Sequence, residues 1–226
     1  MELILAARAT VDRAEKSGLT PLNSAAHEGQ EKCVELLLAA HAVVDQATDT
    51  GVAPLNSAAH QGCEKCVELL LGARAAVDLA TNFGVTPLSS AAHNGHEKCV
   101  ELLLGARAKL DLADSHGLTP LYCAARKGRA KFVELLLAAR AAMEQAKKDG
   151  ATPLFAAAQH GETAVARLLL ANGANANACM TIDSRHSPLT IASAARAGGQ
   201  GPGPAAISPG PNWENSAKIR QNLAEI

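Results

Sequence analysis

Hydrophobic and polar positions along this chain alternate with the same rhythm five times. From Glu31 onward, Val34, Leu37 and Leu38 are apolar while Glu31, Lys32 and Glu35 are polar. That spacing predicts a helix over roughly 31–39 with Val34, Leu37 and Leu38 facing inward. Just before it, Pro21 to His27 reads as a shorter helix whose small residues Ser24, Ala25 and Ala26 allow a neighbour close approach. Thr20 is a natural cap, and Pro21 suits the first helical position because its missing N–H would have no partner there. Gly29 ends the helix, since glycine accepts the left-handed conformation. Residues 42–51 read as an extended connection with a turn.

The rhythm has a period of 33 residues. Gly18, Gly51, Gly84, Gly117 and Gly150 open five copies of one phrase: GLTPLNSAAHEG, GVAPLNSAAHQG, GVTPLSSAAHNG, GLTPLYCAARKG and GATPLFAAAQHG. A triple leucine follows in each copy, as VELLL from Val34, Val67, Val100 and Val133 and as ARLLL from Ala166. One such unit cannot bury its own apolar face, and stacked units bury each other. Each fully buried leucine contributes roughly 1.5–3 kcal/mol. Ala53 replaces the capping threonine of the second copy, at an expected local cost of about 1 kcal/mol.

The phrase G-x-T-P-L-x-x-A-A-x-x-G, followed by the leucines, resembles the ankyrin repeat over about residues 1–195. The resemblance implies an all-α solenoid of helix–turn–helix units with β-turn or hairpin fingers, and a concave face that binds proteins. It implies no enzymatic activity. The predicted organisation is a partial repeat over 1–17, five repeats over 18–182, a partial sixth over 183–196, and a Gly/Pro-rich tail over 197–226. In Ala197–Asn212, nine of sixteen residues are Gly or Pro, which reads as a flexible linker. Asn215–Ile226 has the pattern of one short helix, either a cap on the stack or disordered. The opening stretch aligns with the middle of a repeat, so the chain reads as a fragment of a longer protein or as carrying a half-repeat cap.

Two departures from the family pattern bear on the fold. The usual histidine after T-P-L is replaced by Asn23, Asn56, Ser89, Tyr122 and Phe155, which puts the hydrogen bonds between repeats in doubt. The usual glycine after the second helix is His41, Arg74, Arg107 or Arg140, with only Gly173 matching. Either those four residues take the left-handed turn, each at about 1–2 kcal/mol, or the helix runs on.

Composition narrows the function classes. The formal net charge is -1 and aromatic residues make up 2% of the chain, so there is no strong field to attract nucleic acid or an anionic membrane. No apolar run reaches the roughly 20 residues needed to span a bilayer. The chain reads as cytoplasmic, with the nucleus as the alternative, and as a monomer. Cys33, Cys66 and Cys99 occupy one repeat position that continues as Phe132 and Val165. They are therefore expected in the core as small hydrophobes rather than as a disulfide framework. Cys63 and Cys66 have C-x-x-C spacing but lack the βαβ context of a redox motif. Asp12, Asp45, Asp78 and Asp111 recur at equivalent places and read as turn residues. No phosphate-binding loop, zinc-protease motif or nucleophile elbow is present, so neither a cofactor nor a catalytic site is expected.

What varies between copies is left to carry specificity. The resemblance implies partner contacts around each finger tip and at the end of each first helix. They take in the residue after each repeat glycine, Val52 and Val85 among them, and in the first two copies they include His27, Glu28, Asp49, Thr50, His60 and Gln61. The third adds Asn82, Phe83, His93 and Asn94. The last two add Ser115, His116, Arg126, Lys127, Gln159 and His160. His27, His60 and His93 form a column, but helices packed about 8–10 Å apart keep successive imidazoles from sharing one metal ion. Phe83 stands out, because an aromatic on a turn has no evident core role and aromatics are enriched where binding energy concentrates. Its alternative is packing against the neighbouring finger. The function expected is a protein-interaction scaffold. The alternative is a targeting or adaptor module of a larger protein, such as an enzyme or a ubiquitin-ligase substrate adaptor. Metal or redox activity through the His or Cys columns, and recently duplicated repeats not yet specialised, complete the range.

Overall fold

The computed structural model describes residues 11–178. The expected sixth repeat, the tail and most of the N-terminal partial repeat lie outside them. The chain divides into two compact units, Met1–Ser115 and His116–Ile226. The described part of unit one holds three helix pairs: α1 (Pro21–His27) and α2 (Glu31–Ala39), α3 (Pro54–Gln61) and α4 (Glu64–Gly72), α5 (Pro87–Asn94) and α6 (Glu97–Gly105). Unit two holds two pairs: α7 (Pro120–Arg126) and α8 (Ala130–Ala138), α9 (Pro153–His160) and α10 (Thr163–Ala171). The described residues contain helices and turns but no strand.

The first helices start as the capping chemistry requires. Thr20, Thr86, Thr119 and Thr152 each accept a hydrogen bond from a backbone N–H three residues on. Ala53 has no side-chain oxygen, and α3 lacks this bond. Within each unit the first helices pack on one another and so do the second helices. Leu22, Leu55, Leu88 and Leu121 are buried, as are Val34, Val67, Val100 and Val133. Val34 and Leu37 face the core as expected, whereas Leu38 is only half-buried. Cys66, Cys99, Phe132 and Val165 are core residues and Cys33 is half-buried. Burial pushes the thiols up, Cys66 to about 11 and Cys99 to about 12.

The helix does not run on past the second-helix terminus. His41, Arg74, Arg107 and Arg140 take the left-handed conformation, with φ between 62° and 69°, so the turn is kept without glycine. A single backbone device then links successive copies. Asp12 accepts a hydrogen bond from Val43 N at 2.8 Å, Asp45 from Ala76 N at 3.0 Å, and Asp78 from Lys109 N at 2.9 Å. In unit two, Glu144 takes the same part with Asn175 N at 2.7 Å. These acids are more than turn formers, because each ties its own finger base to the loop 31 residues on.

The asparagines resolve the doubt over bonds between repeats in unit one. Asn23 Nδ2 donates to Val52 O and Ser57 Oγ donates to Asn23 Oδ1, both at 2.6 Å. Asn56 repeats the arrangement, donating to Val85 O at 2.8 Å and accepting from Ser90 Oγ at 2.9 Å. Ser89 is shorter and turns back on its own cap, donating to Thr86 O and accepting from Thr86 N. Unit two fills the same position with Tyr122 and Phe155, which form a buried cluster with Ala151 and Ala156, with Leu118 against it.

Candidate functional site

The fingers of unit one are built by short-range bonds. Thr48 N donates to Val52 O at 3.1 Å and Gly51 N to Thr48 O at 2.8 Å, and Thr81, Val85 and Gly84 repeat the pattern. The threonine hydroxyls accept from Val52 N and Val85 N and lock each turn. Neighbouring fingers are joined by one backbone bond each: Asp49 N to Ser17 O, Asn82 N to Thr50 O, and Ser115 N to Phe83 O. Gly51 has φ 80°, and a Cβ there would lie 2.6 Å from Asn82 N. The finger stack therefore needs glycine at this position both for its dihedral and for its clearance.

Between the fingers and the first helices runs an open groove. One cleft of about 460 Å³ is lined by His27, His60, Thr50, Phe83, Val52 and Val85 as walls, with Asn56, Ser57, Thr81 and Ser90 completing it. A second cleft of about 400 Å³ is lined by Ser17, Leu19, Asn23, Thr48 and Asp49, and shares His27, Thr50, Val52 and Ser57 with the first. The polar floor is already satisfied internally, since Asn23, Ser57, Asn56 and Ser90 bond one another and the finger carbonyls. The groove thus offers a guest apolar walls and two imidazoles.

Phe83 does not pack into the protein. It is 61% exposed and forms part of the groove wall. His27 and His60 are exposed on the opposite wall, and Gln61 Nε2 lies 3.0 Å from His27 Nε2. Of the candidates named from sequence, the groove brings together His27, Asp49, Thr50, His60 and Phe83. Glu28, Gln61, Asn82 and Ser115 are exposed in unit one without lining it. Asn82 Nδ2 donates to Asp49 O at 2.8 Å, and so steadies the finger tips. His93 and Asn94 are half-buried, and Asn94 Nδ2 donates to His60 O at 3.2 Å. In unit two, His116, Lys127, Gln159 and His160 are exposed and Arg126 is half-buried. His160 Nδ1 donates to Ala156 O at 3.0 Å.

Val52 and Val85, expected from the sequence as contact positions beside the finger-tip glycines, supply the groove's aliphatic wall. Both follow the repeat glycine directly, as Gly51-Val52 and Gly84-Val85. Among the described residues, no group of three His, Cys, Asp or Glu side chains is placed to hold a metal ion. No helix among them is long and apolar enough to cross a membrane.

Comparison with known proteins agrees with this architecture. The family model described as ankyrin repeats in three copies matches residues 1–81 and 68–149, and the single ankyrin repeat model matches residues 149–180. No curated protein matches the chain. Repeats of this kind generally mediate protein–protein interactions and are typically non-enzymatic. With matches running from residue 1 to residue 180 of 226, the chain belongs to the ankyrin repeat family.

Proposed function

We propose that this protein is an interaction scaffold that binds a partner protein through the groove of unit one and its finger tips. The observation that carries the reading is the placement of Phe83. A large aromatic that is 61% exposed loses apolar hydration on capture by a partner, a gain of roughly 1–2 kcal/mol if burial becomes complete. It faces a wall of two histidines over a floor whose polar groups are already paired, so docking there strands no donor or acceptor of that floor. The repeated leucines and valines build the stack, and Asp49, Thr50 and Phe83, at finger-tip positions that differ between copies, line the groove.

Affinity capture with the full chain, compared with a Phe83→Asp, His60→Ala double variant, tests the reading. Both positions are exposed, so the variant is expected to keep the native circular dichroism spectrum. The expected result is a protein retained by the wild type and lost by the variant. Retention of every captured protein by the variant would count against this face.

A further inference from the structure

The two clefts of unit one differ in chemistry. The cleft at Phe83 and Val85 has apolar walls. The cleft before it has the acidic residue Asp49 in its lining. Asp49 is exposed, and among the described residues no salt bridge holds it. A guest crossing both clefts therefore meets an apolar socket at one end and an unneutralised negative charge at the other.

The clefts are one repeat apart and continuous, because Val52 and Thr50 belong to both. Stacked helices, and fingers contributing two backbone segments each, advance by about 10 Å per repeat. An extended chain covers about 3.3 Å per residue, so about three residues separate the two clefts. A helix would need roughly six or seven residues for the same distance. The histidine wall favours the extended form. Among the described residues, the His60 ring has no hydrogen-bond partner, while the His27 ring one repeat away already meets Gln61 Nε2 at 3.0 Å. An imidazole offers both a donor and an acceptor. An extended segment has main-chain groups that need such partners, whereas a helix has already paired its own.

We infer that unit one takes an extended peptide segment with an apolar anchor in the Phe83–Val85 cleft and a lysine or arginine, about three residues away, at Asp49. This rests on the binding function proposed above and assigns the chemistry of the partner's contact segment.

The test is a displayed library of random linear peptides, selected on the purified full-length chain and reselected on Phe83→Asp and Asp49→Lys variants. Circular dichroism checks that both variants are folded. The expected outcome is enrichment of peptides pairing an aliphatic or aromatic residue with Lys or Arg three positions apart. Phe83→Asp weakens their binding about tenfold or more. Asp49→Lys keeps the apolar anchor and changes the preferred charged residue to Asp or Glu. Peptides that depend on Phe83 but ignore the charge at position 49, or whose anchors recur six or seven residues apart, would overturn the inference and leave the binding function standing. A selection that yields nothing would do the same, provided affinity capture still returns a Phe83-dependent protein. Self-association of the chain abolished by Phe83→Asp, read by sedimentation, would make the occupant a second copy and overturn it as well. Failure of both the selection and the capture would remove the binding function itself.

Discussion

Single residues decide where this chain departs from an ideal repeat. Arg74 and Arg107 hold left-handed turns that glycine takes without a Cβ penalty. Replacing either by glycine is expected to stabilise unit one by about 1 kcal/mol, read as a higher urea midpoint. An unchanged or lower midpoint would mean that the arginine side chain or the lost glycine entropy outweighs the strain. Ala53→Thr restores the missing cap, and threonine is already buried at the same place in the next repeat. About 1 kcal/mol of added stability is expected. The cysteines offer a chemical readout. With Cys66 at about 11 and Cys99 at about 12, their thiolate fraction at pH 8 is about a thousandth or less. Iodoacetamide at that pH should modify the half-buried Cys33 well before either of them. Equal rates, followed by mass spectrometry of native protein, would contradict the core placement.

At the scale of elements, the helices were legible in the sequence and the bonds between them were not. Thr-Pro, the small residues and Gly29 predict α1 as Pro21–His27, which is its observed span, and the 31–39 apolar pattern gives α2. These signals are local, so one repeat contains all the information. The bonds from Asp45 to Ala76 and from Asn23 to Val52 join residues about one period apart. Composition shows that such residues recur, but only three-dimensional placement shows what they touch. Asn56 makes the point in energy. Its amide donates to Val85 O in a part-buried bond and its oxygen accepts from Ser90 Oγ in a buried one. Asn56→Ala leaves that hydroxyl without this acceptor and that carbonyl without this donor, and is expected to cost about 1–3 kcal/mol. A urea midpoint within error of the wild type would show that solvent reaches these groups.

At the scale of the molecule, repetition and variation separate two jobs. Leu22, Leu55, Leu88 and Leu121 are near-invariant and buried, and they build the units. Thr50, Phe83, His60 and Asp49 gather around one groove in unit one. The sequence pointed to these positions because they change from copy to copy. It did not show that Phe83 stays out in solvent, because an aromatic on a turn is equally compatible with packing on the next finger. Nor did it distinguish the asparagine-bonded seams of unit one from the aromatic cluster of unit two as alternative ways to join repeats.

The central claim is that the groove face, and not the helix surface bearing Lys65, meets the partner. Site-specific photo-crosslinking in cells tests it most directly, with a photoreactive amino acid placed at Phe83 in one variant and at the exposed Lys65 in another. The account predicts a discrete protein adduct from position 83 that is lost when His60→Ala is added, and none from position 65. A partner adduct from position 65 with none from position 83 would contradict it.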